Sequence, residues 1–99
     1  KTAATIALQH HEHWDGSGYP QGLHEEDIHI FARITNLADV FDILRHHRIY
    51  EEAWDLDRVL TFIKKERGIQ FDPTLVDLFF ENLEELLAID DEYPEDTLS

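Results

Sequence analysis

Ile30, Ile34, Leu37, Phe41 and Leu44 recur at alternating steps of four and three. Only an α-helix turns that spacing into one continuous apolar seam. Asp27 is a plausible N-cap for this helix, which is predicted to end near Arg48. The same period returns twice downstream. Leu56, Val59, Leu60 and Ile63 form a stripe behind the capping residue Asp55 and stop at Gly68. Asp72-Pro73 then places a cap before a proline at the first helical position. Leu75, Val76, Phe79, Leu83, Leu86 and Leu87 supply the face of that fourth helix, with Phe79 and Phe80 assigned to the core. Upstream, residues 2–12 carry a shorter pattern (Ala3, Ile6, Ala7, His10) with no cap ahead of it. Between the first two helices the chemistry changes. Asp15-Gly16-Ser17-Gly18 is a turn cluster, and Tyr19-Pro20 bars a helix from continuing through it. No segment alternates with period two, so the predicted class is all-α.

Ninety-nine residues make one small domain. There is no methionine, and the chain opens in mid-pattern at Lys1-Thr2-Ala3, so it reads as a piece of a longer protein. The formal charge is −14, from 22 acids against 8 Lys+Arg, but residues 81–99 hold no Lys or Arg at all. Residues 90–99 read as an acidic, disordered tail on a domain spanning 1–89. So negative a chain repels phosphates at long range, which argues against DNA, RNA or anionic-membrane binding. A phosphate ligand would need a local cation, most simply a metal. No apolar run reaches the roughly 18 residues of a membrane span. The absence of cysteine removes disulfides and thiolate metal sites and fits a cytoplasmic setting.

Five of the seven histidines lie in the first 30 residues. His10 and His11 are adjacent at the end of the first helix, about 100° apart around its axis if the helix persists. Two such imidazoles suit one metal or two neighbouring ones, and they equally suit a surface or capping role. Asp39 sits within Leu37-Ala38-Asp39-Val40-Phe41, beside the seam. A carboxylate near a core is costly unless paired or metal-bound, and the alternative is that it points outward. Asp42 could be its solvent-side neighbour or its hydrogen-bonding partner. Trp14 and Tyr19 could stack on a base, with packing the stronger reading for Trp14. His13, His24, His29, His46 and His47 read as surface residues, and Ser17 has no base at a nucleophile's spacing.

The segment His10-His11-Glu12-His13-Trp14-Asp15-Gly16-Ser17-Gly18-Tyr19-Pro20-Gln21-Gly22-Leu23 resembles the signature of the HD-GYP family. The likeness continues through Ala32-Arg33-Ile34, Ala38-Asp39-Val40-Phe41-Asp42, Arg48-Ile49-Tyr50 and Gly68-Ile69-Gln70-Phe71-Asp72-Pro73. The resemblance implies a helical HD-domain fold and metal-dependent hydrolysis of cyclic di-GMP to pGpG or GMP in bacteria. The cofactors would be two or three divalent ions, iron or manganese. It further implies that His10, His11 and Asp39 are metal ligands. Gly18, Tyr19 and Pro20 form the loop associated with substrate and with docking of diguanylate cyclase (GGDEF) domains, and Arg48 meets a substrate phosphate. The His-Asp pair that names the superfamily, a further histidine ligand and a lysine all belong before residue 1. The chain is therefore the C-terminal, four-helix half of the domain, inactive alone. An upstream sensory or receiver domain is expected, and the chain could pair with a second copy. Even so, His10, His11 and Asp39 should lie near one another if the half-domain keeps its fold.

One departure from the family bears on function. A basic residue is common three places after Arg48, and here Glu51 reverses that charge beside the expected phosphate. The reversal supports a rival reading, a degenerate domain that binds cyclic di-GMP or a protein partner through its Gly-Tyr-Pro loop without hydrolysing anything.

Overall fold

The structure, a computed structural model, describes residues 2–46 and 52–92. Among these, five α-helices follow one another, α1 (Thr2–Gln9), α2 (Ile30–Arg45), α3 (Leu56–Lys65), α4 (Pro73–Glu81) and α5 (Leu83–Glu92). A single 3-10 turn, Glu25–Asp27, lies between α1 and α2. No β-strand forms among the described residues; two isolated bridges, Asp15 with His24 and Arg67 with Phe71, tie loop segments together. The all-α class stands.

The apolar core gathers Leu37 from α2, Val59 and Ile63 from α3, Phe71 from the turn before α4, and Val76 and Phe79 from α4. Phe41 meets Phe79 edge-on at 5.0 Å, and Phe62 meets Phe71 edge-on at 6.3 Å, the geometry that aromatic quadrupoles favour. Phe80 is half-buried beside Phe79. Asp55 caps α3 by accepting the Arg58 amide at 2.8 Å, and Asp72 caps α4 through the Thr74 amide at 2.8 Å. Both caps are where the sequence puts them.

Five boundaries differ from expectation, the first three for a local reason. Helix α1 ends at Gln9 rather than residue 12, because the His10 imidazole turns back onto the last carbonyls. Helix α2 is capped by His29, not Asp27. Ile28 is buried in extended conformation between them, and His29 Nδ1 accepts the Phe31 amide at 3.0 Å. The fourth predicted helix is two, α4 and α5. Asn82 interrupts it by donating its side-chain amide to the Leu78 carbonyl at 2.8 Å. Helix α5 then runs to Glu92, so the first three residues of the expected tail are helical. Helix α2 ends at Arg45 with His46 as its C-cap, and residues 47–51, including His47, Arg48 and Glu51, lie outside the described residues.

The seam of α2 also needs correction. Leu37 is buried and Phe41 and Leu44 are half-buried, but Ile30 and Ile34 stay 40% and 44% exposed. Ala32 and Asn36 are buried in their place. Exposing two isoleucines to that extent costs roughly 2 kcal/mol. Turning Asn36 and Arg33 away from the loop would strand several buried polar groups at about 1–3 kcal/mol each, and that larger cost sets the rotation of the helix.

Candidate functional site

The end of α1 presents two imidazoles side by side, with the His10 and His11 ring centres 4.0 Å apart. His10 Nδ1 lies 2.9 Å from the Ala7 carbonyl and 3.2 Å from that of Ile6. A carbonyl only accepts, so Nδ1 carries a proton, and in the neutral ring that leaves the lone pair on Nε2. That arrangement caps the helix, and it is also the one in which a ligand histidine is typically held, with its other N–H donated to a carbonyl. His11 is exposed and stacks on Tyr19, with ring centres 4.9 Å apart and planes 18° from parallel.

From there the chain enters the Gly-Tyr-Pro loop, and the loop is anchored at several points. The Tyr19 amide donates to the His11 carbonyl at 3.2 Å. Gly18 lies so close to the backbone of residues 11–13 that a Cβ there would collide with the His11 carbonyl and the His13 amide nitrogen. Glu12 is 2% exposed, and its two carboxylate oxygens accept the Gln21 and Leu23 amides at 2.7 and 2.8 Å. The loop's far side rests on the turn before α4, where the amides of Trp14 and Asp15 donate to the carbonyls of Gln70 and Ile69.

Helix α2 supports this loop with polar side chains. Asn36, buried, donates to the His10 carbonyl at 2.9 Å and accepts from Gln70 Nε2 at 3.2 Å. Arg33 donates to the Ile28 carbonyl at 2.9 Å and to the buried Asp72 carboxylate at 2.7 Å, with its guanidinium 5.8 Å from the Trp14 ring centre. Trp14 is half-buried in that contact, which is the packing reading of the residue. Tyr19 is 61% exposed, with its outer edge open to a ligand.

Asp39 lies one turn beyond Asn36 on α2 and is exposed, at the lip of an open groove of about 700 Å³. Ile34, Leu37, Phe41, Leu75, Phe79, Leu86 and Ile89 supply the groove's apolar walls. Asp42 does not partner Asp39; it lies 3.1 Å from His46 Nε2, one turn along the helix. Among the described residues no three His, Asp or Glu side chains group closely enough to hold a metal ion. The structure therefore brings His10 and His11 together but does not close a ligand set with Asp39. The donors fit a nitrogen-rich centre in part, as two imidazoles, one of them pre-set by its backbone hydrogen bond.

Three of the other described histidines have structural partners. His13 Nδ1 lies 3.2 Å from the Ser17 hydroxyl, His24 packs where a Cβ on Gly16 would sit, and His29 caps α2. Ser17 hydrogen bonds through both its hydroxyl and its amide to Asp15, and these bonds, helped less by the nearby His13, hold the Asp15 carboxyl below its ordinary value against the opposing effect of desolvation. The sequence reading missed Glu12, Asn36 and Gln70. A usable signal existed for Glu12, an acid followed by Gly16, Gly18 and Gly22, whose loop can turn backbone amides toward a carboxylate.

No helix of the described residues is long and apolar enough to cross a membrane. A family model of the HD domain matches residues 1–75. Cyclic di-GMP phosphodiesterase response regulator RpfG of Xanthomonas campestris pv. campestris is 52% identical over 77 residues, covering 78% of this chain and 20% of the relative. The 3'3'-cGAMP-specific phosphodiesterase 2 of Vibrio cholerae is 44% identical over 89 residues, covering 90% of this chain and 17% of the relative. A crystal structure of the cyclic GMP-AMP specific phosphodiesterase V-cGAP3 of V. cholerae superposes with a TM-score of 0.76 at 29% identity, over 95% of this chain and 21% of that one. The chain thus spans about a fifth of the length of the curated relatives it matches. On the family match, the shared fold and the motif running from His10 to Pro20, the chain belongs to the HD-domain family, in its HD-GYP branch.

Proposed function

We propose that this chain is the loop-bearing part of a metal-dependent phosphodiesterase acting on a cyclic dinucleotide, cyclic di-GMP foremost. The observation that carries the reading is the pairing of His10 and His11 at the foot of an anchored loop, with Tyr19 stacked on His11 and its outer edge exposed. His10 and His11 hold metal through imidazole nitrogens, and Asp39 adds a carboxylate from α2. The remaining donors come from upstream of Lys1. Two or three iron or manganese ions held there would supply Lewis-acid stabilisation of the phosphate and an activated water. Gly18, Tyr19 and Pro20 line the substrate's path, and Arg48 neutralises a phosphate oxygen. The products are pGpG or GMP. In this reading the loop also docks diguanylate cyclase domains, a receiver or other sensory domain precedes the chain, and the protein works in the cytoplasm where the messenger is made.

The test is hydrolysis of cyclic di-GMP and of 3'3'-cGAMP by the complete protein, with metal content measured in parallel. His11→Ala and Asp39→Ala should each lower bound metal and reduce turnover by at least about a hundredfold. Arg48→Ala should weaken substrate binding at unchanged metal content. Full turnover by His11→Ala would overturn the reading. The rival, binding of cyclic di-GMP or a protein partner without hydrolysis, is favoured by Glu51 next to the expected phosphate, and it predicts binding with no product. Under either reading, Glu51→Lys should tighten binding, most at low salt where screening is weak.

A further inference from the structure

Glu12 is the most buried acidic side chain of the loop region, yet both of its carboxylate oxygens are taken by backbone amides rather than by a cation. Each oxygen takes one charge-assisted hydrogen bond, from Gln21 at 2.7 Å and from Leu23 at 2.8 Å. Gly22, between those donors, adopts φ +69°, a left-handed conformation that turns the amides on either side of it toward the same anion. On the near side of the loop, the Tyr19 amide is bonded to the His11 carbonyl and Gly18 is pressed against the backbone of residues 11–13. The stretch from Gly18 to Leu23 is thus strapped at both ends to residues 11–12. Tyr19 lies within the strap, and its ring rests on His11.

We infer that Glu12 is a positioning residue: its carboxylate, gripping the Gln21 and Leu23 amides, holds Tyr19 over His11 in the place where the substrate meets the loop. This rests on the proposed phosphodiesterase reading and adds to it a residue that touches neither metal nor substrate. The carboxylate has a geometric advantage over any neutral side chain. It offers two acceptors to two donors, whereas a glutamine would set its NH2 group against one of the amides. The penalty for that mismatch falls on the loop, because Glu12 is buried and water cannot replace the lost acceptor.

The experiment uses the complete protein with Glu12→Gln, Tyr19→Ala and the double variant. Cyclic di-GMP affinity, metal content and amide hydrogen exchange are measured on each. Glu12→Gln is expected to weaken affinity about tenfold, to leave metal content unchanged, and to speed exchange at Gln21 and Leu23 while Val76 and Phe79 stay protected. If Glu12 acts through Tyr19, the double variant binds no more weakly than Tyr19→Ala alone. Multiplying losses, or unchanged exchange at Gln21 and Leu23, would overturn the inference. Should Glu12→Gln not fold, Gly22→Ala provides the second route. Its new Cβ has room, with the Gly16 carbonyl oxygen the nearest atom at 3.5 Å, but it strains the left-handed turn. It must then reproduce the same affinity loss, the same exchange pattern and the same coupling to Tyr19. A wild-type protein that binds no cyclic dinucleotide would overturn the proposed function itself, whereas wild-type binding with independent Glu12 and Tyr19 effects removes only the role of Glu12.

Discussion

Val59, Ile63, Phe71 and Val76 in the bundle are buried to 1% exposure or less, while the loop between α1 and α2 buries Glu12 and rests on Asn36, Arg33 and Asp72. In the bundle, removal of apolar surface from water does the stabilising, and it asks only for shape and hydrophobicity. In the loop, each buried polar atom needs a particular partner at hydrogen-bond distance, and an unmet one costs more than a met one contributes. The bundle should therefore tolerate conservative exchange, and the loop should not. The position of the candidate site follows from this division. An apolar platform carries α2 and α4, and a polar network fixes the backbone that presents His10, His11 and Tyr19.

The largest expected effect tests the bundle side of the comparison, with two large-to-small changes in the 99-residue chain. Phe71→Ala empties the centre of the bundle and should lower unfolding free energy by about 3–5 kcal/mol, read from a denaturant midpoint. Ile34→Ala, on the exposed edge of α2, should change it by no more than about 0.5 kcal/mol. An equal loss at Ile34 would restore the continuous seam that the sequence suggests.

Arg33→Ala should come next, at about 3 kcal/mol, because it leaves the Asp72 carboxylate buried without its cation. Replacing both partners by apolar residues of similar volume should recover part of that loss. A single and a double variant with equal stability would show that the pair matters only through the α4 cap.

The helix caps are expected to be smaller and alike in both regions. Asp55→Ala should cost about 1 kcal/mol, and His29→Ala a similar or lesser amount, both measured by thermal unfolding. A null result at His29 together with a loss at Asp27→Ala would return the cap of α2 to the position the sequence favours.

The smallest expected effect is a titration. Asp15 is held below its ordinary value by Ser17, so its contribution to stability is present above the unfolded carboxylate range and is lost as pH falls through its lowered folded value. Ser17→Ala should move the Asp15 titration upward, measured by carboxyl-carbon NMR. An unmoved titration would place the cause elsewhere in the loop.

The all-α class, the Asp55 and Asp72 caps and the core stripe of α3 were legible because they depend on residues a few positions apart. Periodicity and capping are local, and a linear sequence displays them directly. The motif from His10 to Pro20 was legible for the same reason, as was the closeness of two adjacent imidazoles. The exposure of Ile30 and Ile34 was not, because the rotation of α2 is set by Asn36 and Arg33 reaching residues 26 and 39 positions away in the chain. Nor was the place of Glu12, whose burial exists only once Gln21 and Leu23 have folded back over it. Local spacing determined the helical class, two of the caps and the adjacency of His10 and His11. Tertiary structure decided which face of α2 is buried and where the loop rests, because those outcomes depend on satisfying polar groups that meet only when the chain has closed on itself.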